Sequence, residues 1–353
     1  LITPGGNTYL ALAFRPKKKK HSILRPKAAF VRLRTIGPER NLRSAELNGS
    51  RASVVVATTA TWFISLAIGL AHGQAAAETS GATINLGGRG WSPAEGQPTT
   101  SDRSANQFGF DVRAGLASDY IYRGTTLSDH QPAVGVAMEA TFAQFYTGVS
   151  VASVKLPTQP AAEVTLTGGV RPTIGDIEFD LRVAYFLYPR EISSSDIDYW
   201  EVAGRADKRI TDSIRVAGGF AYSPNVSNTG AWSWYAAAGL GYELPSGLLP
   251  QDIGVSFTGG AGYSWFGNQS QELGGFPLPA YLNWQAGVTF TRKMFNLDLR
   301  YYDTNLSKEN CFVLTGDLNA VPGGSINPIT NPEGLMSRWC KATFVAKVWF
   351  ALN

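Results

Sequence analysis

From Gln107 almost to its last residue the chain alternates apolar and polar side chains with a period of two. Few folds accommodate that pattern over such a length. Successive side chains of a strand point to opposite faces, so each run has one apolar and one polar side. The clearest run sets Ile177, Phe179, Leu181, Val183, Tyr185 and Leu187 against Asp176, Glu178, Asp180 and Arg182. Twelve such segments are predicted, near 107–116, 134–142, 145–151, 164–170, 177–187, 200–205, 214–220, 232–242, 253–265, 282–290, 295–301 and 342–350. Several exceed the roughly five or six residues of an average strand. No segment sustains a 3.6-residue period.

The connections alternate as well. Short ones fall at 143–144, 172–175, 210–212 and 292–294, with 245–251 somewhat longer. Long ones fall at 124–131, 156–162, 189–198, 223–231, 267–280 and 304–338. An even number of strands with short turns at one end and long loops at the other is the plan of a membrane barrel. Aromatic residues gather at both ends of the apolar faces, as interfacial anchoring requires. Tyr120, Tyr122, Trp200, Trp232, Trp234 and Trp265 are assigned to the long-loop girdle, and Phe108, Phe142, Tyr242 and Phe290 to the other. A soluble sandwich would bury the same apolar faces. Strand length, the paired girdles and an export signal favour the bilayer. The expected class is all-β: a transmembrane antiparallel up-and-down β-barrel of about twelve strands over 106–353.

Charge is partitioned along the chain. Residues 1–77 carry twelve Lys or Arg against Glu39 and Glu46; the rest holds nineteen basic and twenty-five acidic residues, a net of −6. The basic pI therefore belongs to the leader, and nothing in the charge of the remainder suggests nucleic acid. Residues 1–53 read as a basic leader, with translation expected to begin nearer the apolar segment that follows. Residues 54–77 read as a signal peptide: Trp62 to Ala71 is its apolar core, and Ala75-Ala76-Ala77 its small-residue cleavage site. Cleavage is expected between Ala77 and Glu78; an uncleaved anchor is the alternative. Residues 78–105, rich in Gly, Ser, Thr and Pro, read as a flexible linker.

The segment Leu116-Ala-Ser-Asp-Tyr-Ile-Tyr-Arg-Gly-Thr-Thr-Leu-Ser-Asp-His-Gln-Pro-Ala-Val-Gly135 resembles the signature of the TorF family of Gram-negative bacteria, whose members are called porins by inference. Phe145-Tyr-Thr-Gly148, Tyr185-Phe-Leu-Tyr-Pro189, Asp198-Tyr-Trp-Glu201 and Tyr301-Tyr-Asp-Thr304 resemble it too, in order along 108–350. The third strand departs from it: Ser150-Val-Ala-Ser153 stands where a Trp-containing stretch is expected, so no role of that Trp carries over. The resemblance implies an outer-membrane barrel with a pore and supplies no solute.

The charged residues of the polar faces are the candidate pore lining. The acidic ones are Asp111, Asp119, Glu139, Glu163, Glu178, Asp180, Glu201 and Asp298. The basic ones are Arg113, Arg123, Arg171, Arg182, Arg205, Arg215 and Arg300. Acidic and basic positions lie near balance and interleave, so pairing across strands and a narrow, weakly selective pore are expected. Asp119 and Arg123, read as one strand face, lie about 13 Å apart at the strand rise and must seek partners elsewhere. They form either a solute-contacting rung or a structural salt-bridge ladder under the first long loop.

His130 is the sole histidine after residue 77. Its neighbours Ser128 and Asp129 offer no recognisable nucleophile arrangement, so it is read as a solvated loop residue. No catalytic residues, metal ligands or cofactor are expected. The expected partners are the outer-membrane bilayer and small polar solutes, with the oligomeric state left open. Cys311 and Cys340 belong to the last long loop or its rim. In an oxidising compartment they are expected to pair, two free thiols being the alternative.

Overall fold

The computed structural model describes residues 84–89, 108–192, 196–245, 248–249 and 253–352. The leader 1–53, the signal peptide 54–77 and the Ala77/Glu78 cleavage point lie outside the described residues, as does all of 78–105 except 84–89.

Twelve long strands form the wall. They are β1 (Phe108–Ala117), β2 (Ala133–Phe142), β3 (Phe145–Ala152), β4 (Glu163–Val170), β5 (Ile177–Leu187) and β6 (Tyr199–Arg209), followed by β7 (Ile214–Ser223), β8 (Ser233–Glu243), β9 (Gly254–Phe266), β10 (Tyr281–Arg292), β11 (Phe295–Thr304) and β12 (Thr343–Leu352). Each pairs antiparallel with its sequence neighbours. The sheet closes where β1 also pairs with β12, in the register Leu116↔Val348. The fold is a closed twelve-stranded up-and-down β-barrel. Closure removes every sheet edge, so the wall leaves no row of unpaired backbone groups.

The period-two pattern resolves into an outside and an inside. Phe110, Leu116, Leu181, Phe220, Leu240, Phe257 and Phe344 are exposed on the exterior, as are Trp200, Trp232, Trp234 and Trp265 near the long-loop end. Phe108, Phe142 and Phe295 are exposed near the short turns. Two of the expected girdle residues belong elsewhere. Tyr120 is buried and Tyr122 half-buried, because β1 ends at Ala117 and the chain then leaves the wall. It folds into a small inward hairpin pairing Ile121 with Thr126 and Tyr122 with Thr125. Arg123 and Gly124 form its two-residue turn, both with positive φ (49° and 81°), as a type I′ turn requires. A Cβ on Gly124 would meet Thr304 Cγ2 at 2.3 Å, so the hairpin packs against the wall only with glycine there.

The last long loop is not structureless. It contains one helix, α1 (Lys308–Thr315), capped by Ser307, whose hydroxyl accepts from the Asn310 amide. An eight-residue helix spans about two turns, too short to register as a 3.6-residue period. Cys311 on α1 is disulfide-bonded to Cys340, with Cα atoms 5.9 Å apart. Trp339 packs against both sulfurs' residues, and its indole N–H donates to Asp129 at 2.9 Å. The first and last loops are thereby joined over one end of the barrel.

Candidate functional site

None of the fifteen charged residues assigned to the polar faces is exposed. In a single-walled barrel with an apolar exterior, their burial places them inside. They pair mainly with one another. Arg171 grips Glu139 through two hydrogen bonds of 2.5 and 2.9 Å, lies 3.4 Å from Asp180 and stacks over the Tyr146 ring at 3.8 Å. Tyr146 in turn donates to Asp180 at 2.8 Å, and Arg182 approaches the same carboxylate at 3.8 Å. Arg215 pairs with Glu178 at 3.2 Å and Arg300 with Asp298 at 2.9 Å. Asp111 is buried and Arg113 half-buried, and the Asp111 carboxylate has no hydrogen-bond partner among the described residues.

Asp119 and Arg123 do not share a strand face, as the sequence reading had it; both lie beyond the end of β1. Asp119 accepts from Thr126 at 2.6 Å and from Ser128 at 3.0 Å. Its other oxygen meets His130 Nδ1 at 2.6 Å. His130 is therefore an anchor of the loop rather than a solvated side chain. Its Nε2 bonds the Arg338 carbonyl at 2.9 Å, tying the first loop to the last. The Asp119 hydrogen bond, more than any other influence, raises the His130 pKa above its ordinary 6.5. Ser128 and His130 both face the carboxylate and not each other, so this trio lacks the hydroxyl-to-imidazole contact that activates a serine.

The densest constellation lies near the long-loop end of the lumen, and one of its members comes from the expected linker. Residues 84–89 are not free chain. Ile84 is fully buried, and its carbonyl accepts from Arg205 at 2.7 Å. The Asn85 carbonyl accepts from Gln285 at 2.7 Å. Leu86 reaches toward Gly219 and Gly239. At Gly239 a Cβ would sit 2.5 Å from Ile84 Cγ2, and at Gly260, its direct partner across β8 and β9, one would sit 3.3 Å from the Asn85 carbonyl. The wall is thus thinned by glycine where the segment lies against it.

The segment delivers Arg89 into an aromatic cage. Its guanidinium pairs with Glu163 and donates to Tyr199 Oη at 2.6 Å. It lies 4.0 Å from the Tyr122 ring centroid and 4.5 Å from that of Phe186. Glu163 is held from behind by Tyr120 at 2.7 Å and Tyr188 at 2.8 Å. A second guanidinium adjoins: Arg123 pairs with Glu201 at 2.8 Å and lies 4.6 Å from the Tyr122 ring centroid and 4.2 Å from that of Tyr235. Two buried carboxylates and two arginines thus share one aromatic wall.

Glu163, Glu201 and Arg123 were among the charges assigned to the polar faces; Arg89 was not, and the aromatics of the cage were not singled out. A signal was present. With Leu181, Val183 and Tyr185 pointing out, Phe186 and Tyr188 fall on the polar register of β5, and Tyr199 on that of β6 beside outward Trp200. A large aromatic on a polar face marks a site where rings meet charges.

Residues 101–320 match a family described as "bacterial protein of unknown function (Gcw_chp)". The chain belongs to that family. No curated protein matches it. Among solved structures it is similar to the NanC porin (8% identity, 69% of this chain and 100% of that one, TM-score 0.39). It is also similar to the KdgM porin in complex with disordered oligogalacturonate (7%, 69% and 99%, TM-score 0.38). A third is LpxR from Salmonella typhimurium (8%, 68% and 99%, TM-score 0.33). These likenesses carry no functional weight for a Gcw_chp chain.

Proposed function

We propose that this Gcw_chp barrel resides in the bacterial outer membrane and acts as a narrow, porin-like channel for passive diffusion of small polar solutes. One observation carries the reading: the barrel is closed, apolar on its outside and lined inside by paired charges. Such a wall suits lipid without and water within. The resemblance to TorF porins agrees with it. Selectivity would come from the charge rings and from the first and last loops at the long-loop end. No chemical step is assigned to it. The fifteen charged lumen residues serve as the pore lining. Export would use residues 54–77 as a cleaved signal peptide, leaving Glu78 as the N-terminus of the membrane form. N-terminal sequencing of outer-membrane material that begins in the basic leader would refute that cleavage.

A second reading has its own observation. The segment at 84–89 and the inward hairpin, each ion-paired to the wall, favour a closed barrel whose loops bind a partner. Single-channel recording in planar bilayers separates the two. The channel reading expects a small conductance with weak ion selectivity, since lumen charge is near balance. Complete absence of conductance favours the closed barrel, and near-ideal selectivity for cations or anions rules out the balanced lumen.

A further inference from the structure

Arg89 occupies its cage as a ligand occupies a binding site. Every wall of the cage comes from the barrel or its loops: Tyr122, Phe186, Tyr199 and Glu163, with Tyr120 and Tyr188 behind the carboxylate. Only the cation arrives from outside the strand order. The geometry suits a planar cation. Two rings flank it at 4.0 and 4.5 Å, and a carboxylate and a phenol oxygen meet its edge. Stacking on rings together with in-plane hydrogen bonding is what distinguishes a guanidinium from an ammonium.

One feature makes Arg89 a replaceable occupant, and a second requires that another cation replace it. The fit is incomplete, because its buried Nε has no hydrogen-bond partner, and an unmet buried donor weakens its hold. The cage also cannot stay empty at low cost. Glu163 is 2% exposed, and Arg89 is its sole ion-pair partner among the described residues. Without a cation it is a buried, uncompensated charge.

We propose that the cage is a binding site for small solutes bearing a guanidinium group, held in cis by Arg89 until such a solute displaces the Ile84–Arg89 segment. The proposal deepens the channel reading, on which it rests only for the access of solute to the lumen. Tethering sets the competition. An intramolecular occupant acts at an effective concentration of order millimolar, so it suppresses a weak solute without abolishing its binding.

The test uses the full-length barrel purified in detergent, with ethylguanidinium as probe and isothermal calorimetry as readout. Arg89→Ala should bind one equivalent saturably. Wild type should bind about tenfold or more weakly, because the free cage is the minor state. Ethylammonium should bind Arg89→Ala more weakly than ethylguanidinium, and adding Glu163→Gln should abolish binding. Should Arg89→Ala fail to fold, deletion of residues 84–89 removes the occupant without adding atoms to the wall, leaves the cage untouched and should expose the same site. No saturable binding to either variant, or equal affinity for the two cations, overturns the proposal. So does wild-type affinity equal to that of Arg89→Ala. Bilayer conductance of the same preparations is independent: a barrel that conducts without binding loses the cage and keeps the channel, and one that binds without conducting does the reverse.

Discussion

At the scale of single residues, the same charge has opposite consequences on the two faces of one strand. Asp180 and Arg182 sit inside among partners, whereas Leu181 between them is 48% exposed on the exterior. Leu181→Arg should destabilise the barrel by about 2–4 kcal/mol in lipid, because no water solvates a charge at that depth. Urea unfolding in vesicles measures it, and an unchanged stability would mean that the exterior is not in lipid. The loop histidine carries a different prediction. Its partnership with Asp119 raises the His130 pKa above 6.5. A raised folded pKa contributes stability that is fully present below the unfolded value and is lost as pH rises through the folded one. Protease resistance of the first loop should therefore fall as pH is raised from about 6 through the raised folded value. His130→Gln should flatten that dependence, and a profile identical to wild type would reject the role given to the pair.

At the scale of elements, two devices order what the wall alone would leave loose. The Cys311–Cys340 bond closes a loop across a sequence separation of 29. Chain entropy assigns such a closure roughly 3–4 kcal/mol. Strands β11 and β12 already hold the loop ends together, so most of that falls on α1 and its neighbours. Reduction should open residues 305–339 to proteolysis while barrel melting shifts little, and a large fall in barrel melting would contradict this division. The second device is the glycine-thinned wall of β7, β8 and β9 at Gly219, Gly239 and Gly260. Ile84→Asp, which puts a charge at a fully buried apolar position of the segment, should release Ile84–Arg89 to protease in an otherwise folded barrel; continued protection would show that the segment does not depend on that groove.

At the scale of the whole molecule, the lumen wall is lined by ion pairs within one strand or between near neighbours, and its interior is occupied by its own chain. Twelve strands lie between the filled interior of eight and the aqueous channel of sixteen or more. Side chains such as Arg171, on Glu139, and Arg300, on Gln285 and Thr258, therefore lie along the wall and bond strands one or two away. Deleting residues 84–89, which lie against the inner wall, should raise single-channel conductance severalfold, since they obstruct a channel that narrow. Conductance unchanged by the deletion would place the restriction in the paired charges or the loops.

What the sequence determined by itself was everything governed by local alternation. A strand has only two faces, so the outward phase of Leu181 fixes the inward phase of Asp180, Arg182 and, in the same register, Phe186. The twelve strands, the closed topology and the charged interior were legible for that reason; the Cys311–Cys340 pairing was legible on another ground, two cysteines of one exported loop in an oxidising compartment. Alternation ceases to inform once the chain leaves the wall, and Tyr120 and Tyr122 were assigned to the lipid interface although they line the lumen. Partner choice inside the barrel was likewise illegible. Arg171 meets Glu139 because the β2–β3–β4 register brings them within reach, and Arg123 meets Glu201 because the hairpin after β1 folds into the closed barrel. Arg89 is the extreme case: a Gly- and Ser-rich stretch has the composition of a linker, and only the glycine groove and the aromatic cage of the closed barrel supply the contacts that order it.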